Sequence, residues 1–290
     1  MIRKVFFIAF VLSLFLMSCQ NNREVSRAGD LSIDLKEVGN RLSSGQENKS
    51  EIDSCDIVKR YNLPLPMQLL QNSGLANPDM SLLLDVDSAS SYIDIVSKSF
   101  AYGVYLADLA YSLSFEKEQQ FIKDFDACIT LSKELNINTS ITYDYLKRLA
   151  DNFDKDSAAN IVRRAVRETC NYLEQTGQMN VLPNVIAGSW VESMYLLTGT
   201  ILVNQDVDLK VYQLVSDQYA VADSIKSLIE DSMIGVESFK VNESYQNFIE
   251  MLGELKEVYN EVYITDQVIL DNEDMRKIFD IYASIRKRFL

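Results

Sequence analysis

Asp108 and Glu192 are the residues most able to do chemistry in this chain, because each is an acid set inside a stretch that is otherwise almost wholly apolar. Tyr105 lies three residues before Asp108 and Ser112 four after it; Ser189 lies three before Glu192 and Tyr195 three after it. In a helix those offsets share a face. A carboxylate taken out of water without partners costs several kcal/mol, so each acid needs hydrogen-bond donors or a raised pKa. Two uses of the pair follow. Tyr105, Asp108, Ser112, Ser189, Trp190 and Glu192 could line an inter-helix pocket that holds a small ligand, or in which the acids share a proton. Alternatively, hydroxyls and buried water satisfy the acids, which then serve only to fix helix register. The second is the expectation, since buried polar groups are usually paired within the fold.

The chain has no histidine. That removes Ser-His-Asp and Cys-His nucleophile arrangements, the histidine ligands of zinc and di-iron bundles, and the one side chain that titrates near neutrality without perturbation. Carboxylate acid/base chemistry, a Ser-Lys pair or an all-oxygen ligand site would survive. Asp85-Val-Asp87, Asp154-Lys-Asp156 and Asp206-Val-Asp208 look like calcium-loop fragments, but they lack the glycine and terminal glutamate of an EF-hand and stand where helices should start. They read as caps. Gly188-Ser189-Trp190 lacks the preceding strand of a nucleophile elbow. No cysteine pair has metal-ligand spacing, so no metal and no cofactor is expected. The formal charge of −14, without a basic stripe, argues against nucleic acid as a partner.

The acids have to be positioned by helices. With 10 Gly and 4 Pro in 290 residues the composition favours long helices over a turn-dense sandwich. Ala101 to Phe115 has no face left for water, and Pro183 to Val203 is its nearly all-apolar counterpart and expected neighbour. The first does not read as a membrane span, being too short and carrying Asp108. One-sided helices are expected around them over Glu116 to Leu135, Thr139 to Asn152, Ser157 to Gln175 with Gly177 as its stop, Asp206 to Met233, Glu243 to Tyr263 and Asp271 to Phe289. Arg286, Lys287 and Arg288 suit the C-terminal end of the last by dipole alone. The expected fold is an all-α bundle of about eight mostly antiparallel helices, spanning 55–290.

The N-terminus has a different character. Arg3 and Lys4 precede an apolar run from Val5 to Met17, a targeting layout. Leu16-Met17-Ser18-Cys19 then resembles the end of a bacterial lipoprotein signal, which implies removal of 1–18, acylation of Cys19, and a membrane anchor made of lipid rather than helix. Gln20, where an inner-membrane lipoprotein tends to carry Asp, implies the outer membrane. Loss of Arg3 and Lys4 takes the formal charge from −14 to −16. Residues 19–54 read as a flexible tether, with Leu31, Leu35, Val38 and Leu42 spaced as a short helix over 30–43. With Cys19 acylated, Cys55, Cys128 and Cys170 remain; they are expected as free structural thiols, Cys55 lying ahead of the domain. The string Gly103-Val-Tyr-Leu-Ala-Asp-Leu-Ala-Tyr-Ser112 is similar to one in a group of all-helical lipoproteins from Bacteroidota-type bacteria, a resemblance covering 103–136 that implies no activity.

These readings lead to a lipid-anchored envelope protein with a non-enzymatic protein-interaction or scaffold domain. A small-ligand module with its pocket between the two central helices is the alternative. A carboxylate-dependent hydrolase is third and requires Asp108 and Glu192 to converge near one pocket.

Overall fold

In the computed structural model, which describes residues 55–137, 153–178, 180–204, 207–232, 243–264 and 270–290, every regular element is helical. Among the described residues ten α-helices follow in order: α1 (Asp56–Arg60), α2 (Pro66–Asn72), α3 (Ile95–Ser114), α4 (Glu118–Glu134), α5 (Lys155–Gln175), α6 (Leu182–Val203), α7 (Leu209–Ser216), α8 (Gln218–Ser232), α9 (Glu243–Ile264) and α10 (Asn272–Phe289). Two short 3-10 turns, Met80–Leu82 and Val86–Ser90, lie between α2 and α3. The signal 1–18, Cys19, the tether 19–54, the helix expected over 30–43 and the one over 139–152 lie outside the described residues, Phe153 being described just after.

Local chemistry sets the helix ends. Asp94 caps α3, accepting from the Val96 and Ser97 N–H groups at 2.9 Å each. Asp154, Asp208 and Asp271 cap α5, α7 and α10 in the same way, and Asp85 caps the second 3-10 turn. At the other end of α3, Glu116 takes a positive φ of 56° and the Lys117 N–H reaches the Ser112 carbonyl at 2.8 Å. That closure reverses the chain into α4 within four residues. Gly177 (φ 68°) ends α5 as its position suggested, with the Gln178 N–H on the Leu173 carbonyl at 2.9 Å.

α3 and α6 are the buried core pair, and α3 has its most extensive interface with α6. They run parallel, not antiparallel: Ser99 lies by Asn184, Phe100 by Gly188 and Tyr111 by Thr200. α4 and α5 intervene in the chain, so α6 can start from the same end as α3. The other neighbours follow the antiparallel expectation, α4 against α3 (Ser112 to Asp124), α10 against α6 (Tyr195 to Phe279, Trp190 to Tyr282) and α9 against α8 (Asp223 to Lys256).

Glycine makes the parallel crossing possible. A Cβ on Gly103 would sit 2.1 Å from the Val185 carbonyl oxygen, and one on Gly188 would sit 2.2 Å from that of Phe100. Backbone meets backbone at both points, so neither helix can approach as closely with any side chain there.

Two expectations need correction. Asp206 to Met233 is not one helix but α7 and α8, broken at Asp217; the Gln218 side chain is fully buried there, bonding the Leu214 carbonyl and Trp190. Cys55 and Cys170 are not free thiols: they form a disulfide across 115 residues with Cα atoms 5.9 Å apart. Closing so long a loop stabilises the fold by about 5 kcal/mol on a chain-entropy argument. Cys55 therefore belongs to the domain, held beside Glu174, whose Oε1 accepts the Ile57 N–H at 2.7 Å. Cys128 is free and buried, as expected.

Candidate functional site

Asp108 on α3 and Glu192 on α6 are both fully buried, and the parallel crossing brings them side by side. Arg286, arriving from α10, completes the group: its Nε donates to Glu192 Oε2 at 2.5 Å and its Nη2 to the Leu82 carbonyl at 3.1 Å, while its guanidinium lies 4.6 Å from the Tyr195 ring centre. Asp108 Oδ2 accepts the Leu84 N–H at 3.1 Å. The remaining oxygens, Asp108 Oδ1 and Glu192 Oε1, find no donor in the protein as long as both acids are ionised.

One proton resolves this. Burial drives Asp108 well above the ordinary carboxylate range, and the charges of Glu192 and Asp124 push the same way, against Arg286 and the Leu84 N–H. Burial also raises Glu192, but the charge and hydrogen bond of Arg286 pull it back, as does the hydrogen bond from Asp108. Burial opposes the charge on Arg286; Glu192 outweighs it, and the guanidinium stays protonated. The arrangement is a neutral Asp108 donating to an ionised Glu192 that is paired with Arg286. It buries no net charge, the condition under which such a cluster is tolerated.

The six residues singled out in the sequence divide between several tasks. Tyr105 donates to the Asp85 carbonyl at 2.6 Å and lies against the Tyr92 hydroxyl. Ser112 does not serve Asp108; it donates to a third buried acid, Asp124 of α4, at 2.5 Å, and Gln120 donates to the other oxygen of that carboxylate at 2.7 Å. Burial pushes Asp124 up to about 6, with Ser112, Gln120 and Lys123 pulling down. Ser189 donates to the Ile186 carbonyl of its own helix at 2.9 Å. Trp190 turns to another side of α6, donating to Gln218 at 3.0 Å and meeting the Tyr282 ring edge-on. Asp108 and Glu192 are brought together; Ser112, Ser189 and Trp190 have partners elsewhere.

Sequence reasoning missed Arg286 and Asp124. Arg286 sits one residue beyond Ile285 in the buried stripe of α10, and a dipole explanation sufficed for it locally. Asp124 lies between the inward positions Phe121 and Phe125, a place that could have drawn notice.

Three other features bear on function. Among the described residues, one group of three possible metal ligands falls within 4.8 Å, Cys55, Cys170 and Glu174; the sulfurs are joined to each other and Glu174 holds the Ile57 N–H. A cavity of about 20 Å³, room for about one water, lies between α3, α4 and α5, lined by Leu106, Phe125, Cys128 and Ala165 among others. α6 is the one helix among the described residues long and apolar enough to cross a membrane, and 78% of that stretch is buried inside the fold.

The chain matches no family model, no curated protein and no solved structure.

Proposed function

We propose that this chain is a lipid-anchored protein of the bacterial envelope, outer-membrane in location, whose helical domain works through its surface as a protein-interaction or scaffold module. The observation that carries the non-enzymatic part is the state of the two central acids. Catalytic or ligand-binding carboxylates need free valences facing a space a molecule can enter. Asp108 and Glu192 converge, as a hydrolase would require, but they have no exposed surface and spend their oxygens on Leu84, Arg286 and each other. Their role is to join α3, α6 and α10.

The disulfide supports the compartment. Cys55–Cys170 is a long-range structural crosslink of the kind that persists in oxidising surroundings and is rare in a reducing cytosol. The lipoprotein-like Leu16-Met17-Ser18-Cys19 gives the route there, and several acyl chains would hold an acidic domain at a membrane whose surface charge repels it.

Mass spectrometry of the protein from envelope fractions tests the anchor: an acylated N-terminal peptide beginning at Cys19 is expected, and Cys19→Ala should leave the protein off the membrane. An unlipidated chain that stays on the membrane overturns this reading. In-cell photo-crosslinking from the exposed Ile93 and Leu209 tests the surface role, which predicts a discrete protein adduct; none from either position argues for a domain without a partner.

A further inference from the structure

The stretch from Asp79 to Ser90 lies across the buried cluster like a strap, and side chains rather than backbone ladders hold it there. Tyr111 accepts the Asp79 N–H at 2.9 Å, Arg286 donates to the Leu82 carbonyl at 3.1 Å, Asp108 accepts the Leu84 N–H at 3.1 Å, and Tyr105 donates to the Asp85 carbonyl at 2.6 Å. Two of these four, Asp108 and Arg286, belong to the proton-sharing cluster. The strap is also a thin cover. It consists of two single-turn 3-10 pieces, Ser81, Asp85 and Asp87 are exposed, and its leucines are only half-buried.

We propose that the proton between Asp108 and Glu192 is a latch for this strap: when it is lost on the alkaline side, Asp79–Ser90 lifts while the helices beneath stay folded. Without that proton, two carboxylates face each other in the core with one guanidinium to serve both, and one negative charge is uncompensated. Water must then reach them. α3 and α6 cannot part to admit it, because their backbones are in contact at Gly103 and Gly188. The strap can, since it is the local element of lowest cost to open.

The groups around Asp108 give the sign. Glu192 on α6 and Asp124 on α4 favour its proton, and Arg286 on α10 opposes it. Tyr105 and Tyr111 on α3, Tyr195 on α6 and Tyr92 beside the strap also interact with Asp108, as does Cys128 on α4; burial raises all of these, so they stay neutral as Asp108 titrates. A group whose folded pKa lies above its unfolded one stabilises fully at low pH and loses that contribution as pH rises through the folded value. The latch opens toward alkali.

Hydrogen exchange on the full chain, read by mass spectrometry over a series from mildly acidic to mildly alkaline pH and corrected for intrinsic rates, tests this. Protection of a peptide covering 79–90 should fall by about tenfold per pH unit beyond one midpoint, while peptides from α3 and α6 stay far better protected at every pH of the series. Asp108→Asn should flatten the dependence. Tyr105→Phe, which removes a strap bond but not the proton, should lower protection by the same factor at every pH. Asp124→Asn should leave the slope in place. Strap protection in the wild-type protein that is independent of pH, or that never drops below that of α3 and α6, overturns the proposal, as does a slope that survives Asp108→Asn or vanishes with Asp124→Asn.

Discussion

α3 is packed against two neighbours in two different ways. Toward α6 it meets backbone through Gly103 and Gly188, and the acids at that seam are balanced by Arg286, a cation brought from α10, 94 residues beyond Glu192. Toward α4 it meets large side chains, Phe121 and Phe125. The acid there, Asp124, has only neutral donors in Ser112 and Gln120, and a small cavity remains beside Cys128. The seam without give needs its charge cancelled, whereas the seam with slack leaves its acid titratable near 6. Tight packing excludes the water that would otherwise solvate an ion, so charge compensation and close approach go together.

Breaking the compensation should have the largest effect. Arg286→Met leaves Glu192 ionised and unpaired in the core, an expected loss of about 3–5 kcal/mol in denaturant unfolding. Next is the crossing itself: in Gly188→Ala the methyl would meet the Phe100 carbonyl at 2.2 Å, and since backbone cannot rotate away, a loss of about 3 kcal/mol is expected by the same assay. The α4 seam should respond more gently. Asp124 has a raised pKa, so its contribution is full below the ordinary Asp value and fades as pH rises through about 6. Asp124→Asn should remove that fall from the stability-pH curve while altering neutral-pH stability by about 1 kcal/mol or less. Smallest of all, Ala165→Val adds its methyls beside the cavity and should cost less than about 1 kcal/mol, where a filled core would lose more.

The helices were legible because their apolar spacing is a local property. Both core helices, the amphipathic α5 and α10, the Gly177 stop and the aspartate caps could all be read from neighbours within a few residues. The parallel sense of α3 and α6 could not, because it depends on where α4 and α5 leave the chain. Asp108 and Glu192 stood out because ionisable residues are conspicuous among Leu, Val and Ala. Their partners did not. Arg286 sits in a run of three basic residues at a helix end, where solvent and dipole account for such residues equally well. The pairing of Cys55 with Cys170 was not legible, because only the fold brings two cysteines 115 residues apart together. The break at Asp217 depends on Trp190 claiming Gln218 from another helix, a tertiary contact no local pattern carries.

The account turns on where one proton sits. Carboxyl-carbon NMR of the intact protein at neutral pH, with Asp and Glu labelled, reads this directly. It should show one Asp carboxyl at a protonated shift, absent in Asp108→Asn, and Glu192 ionised. A spectrum with every carboxyl ionised, or with the protonated signal assigned to Glu192, would contradict it.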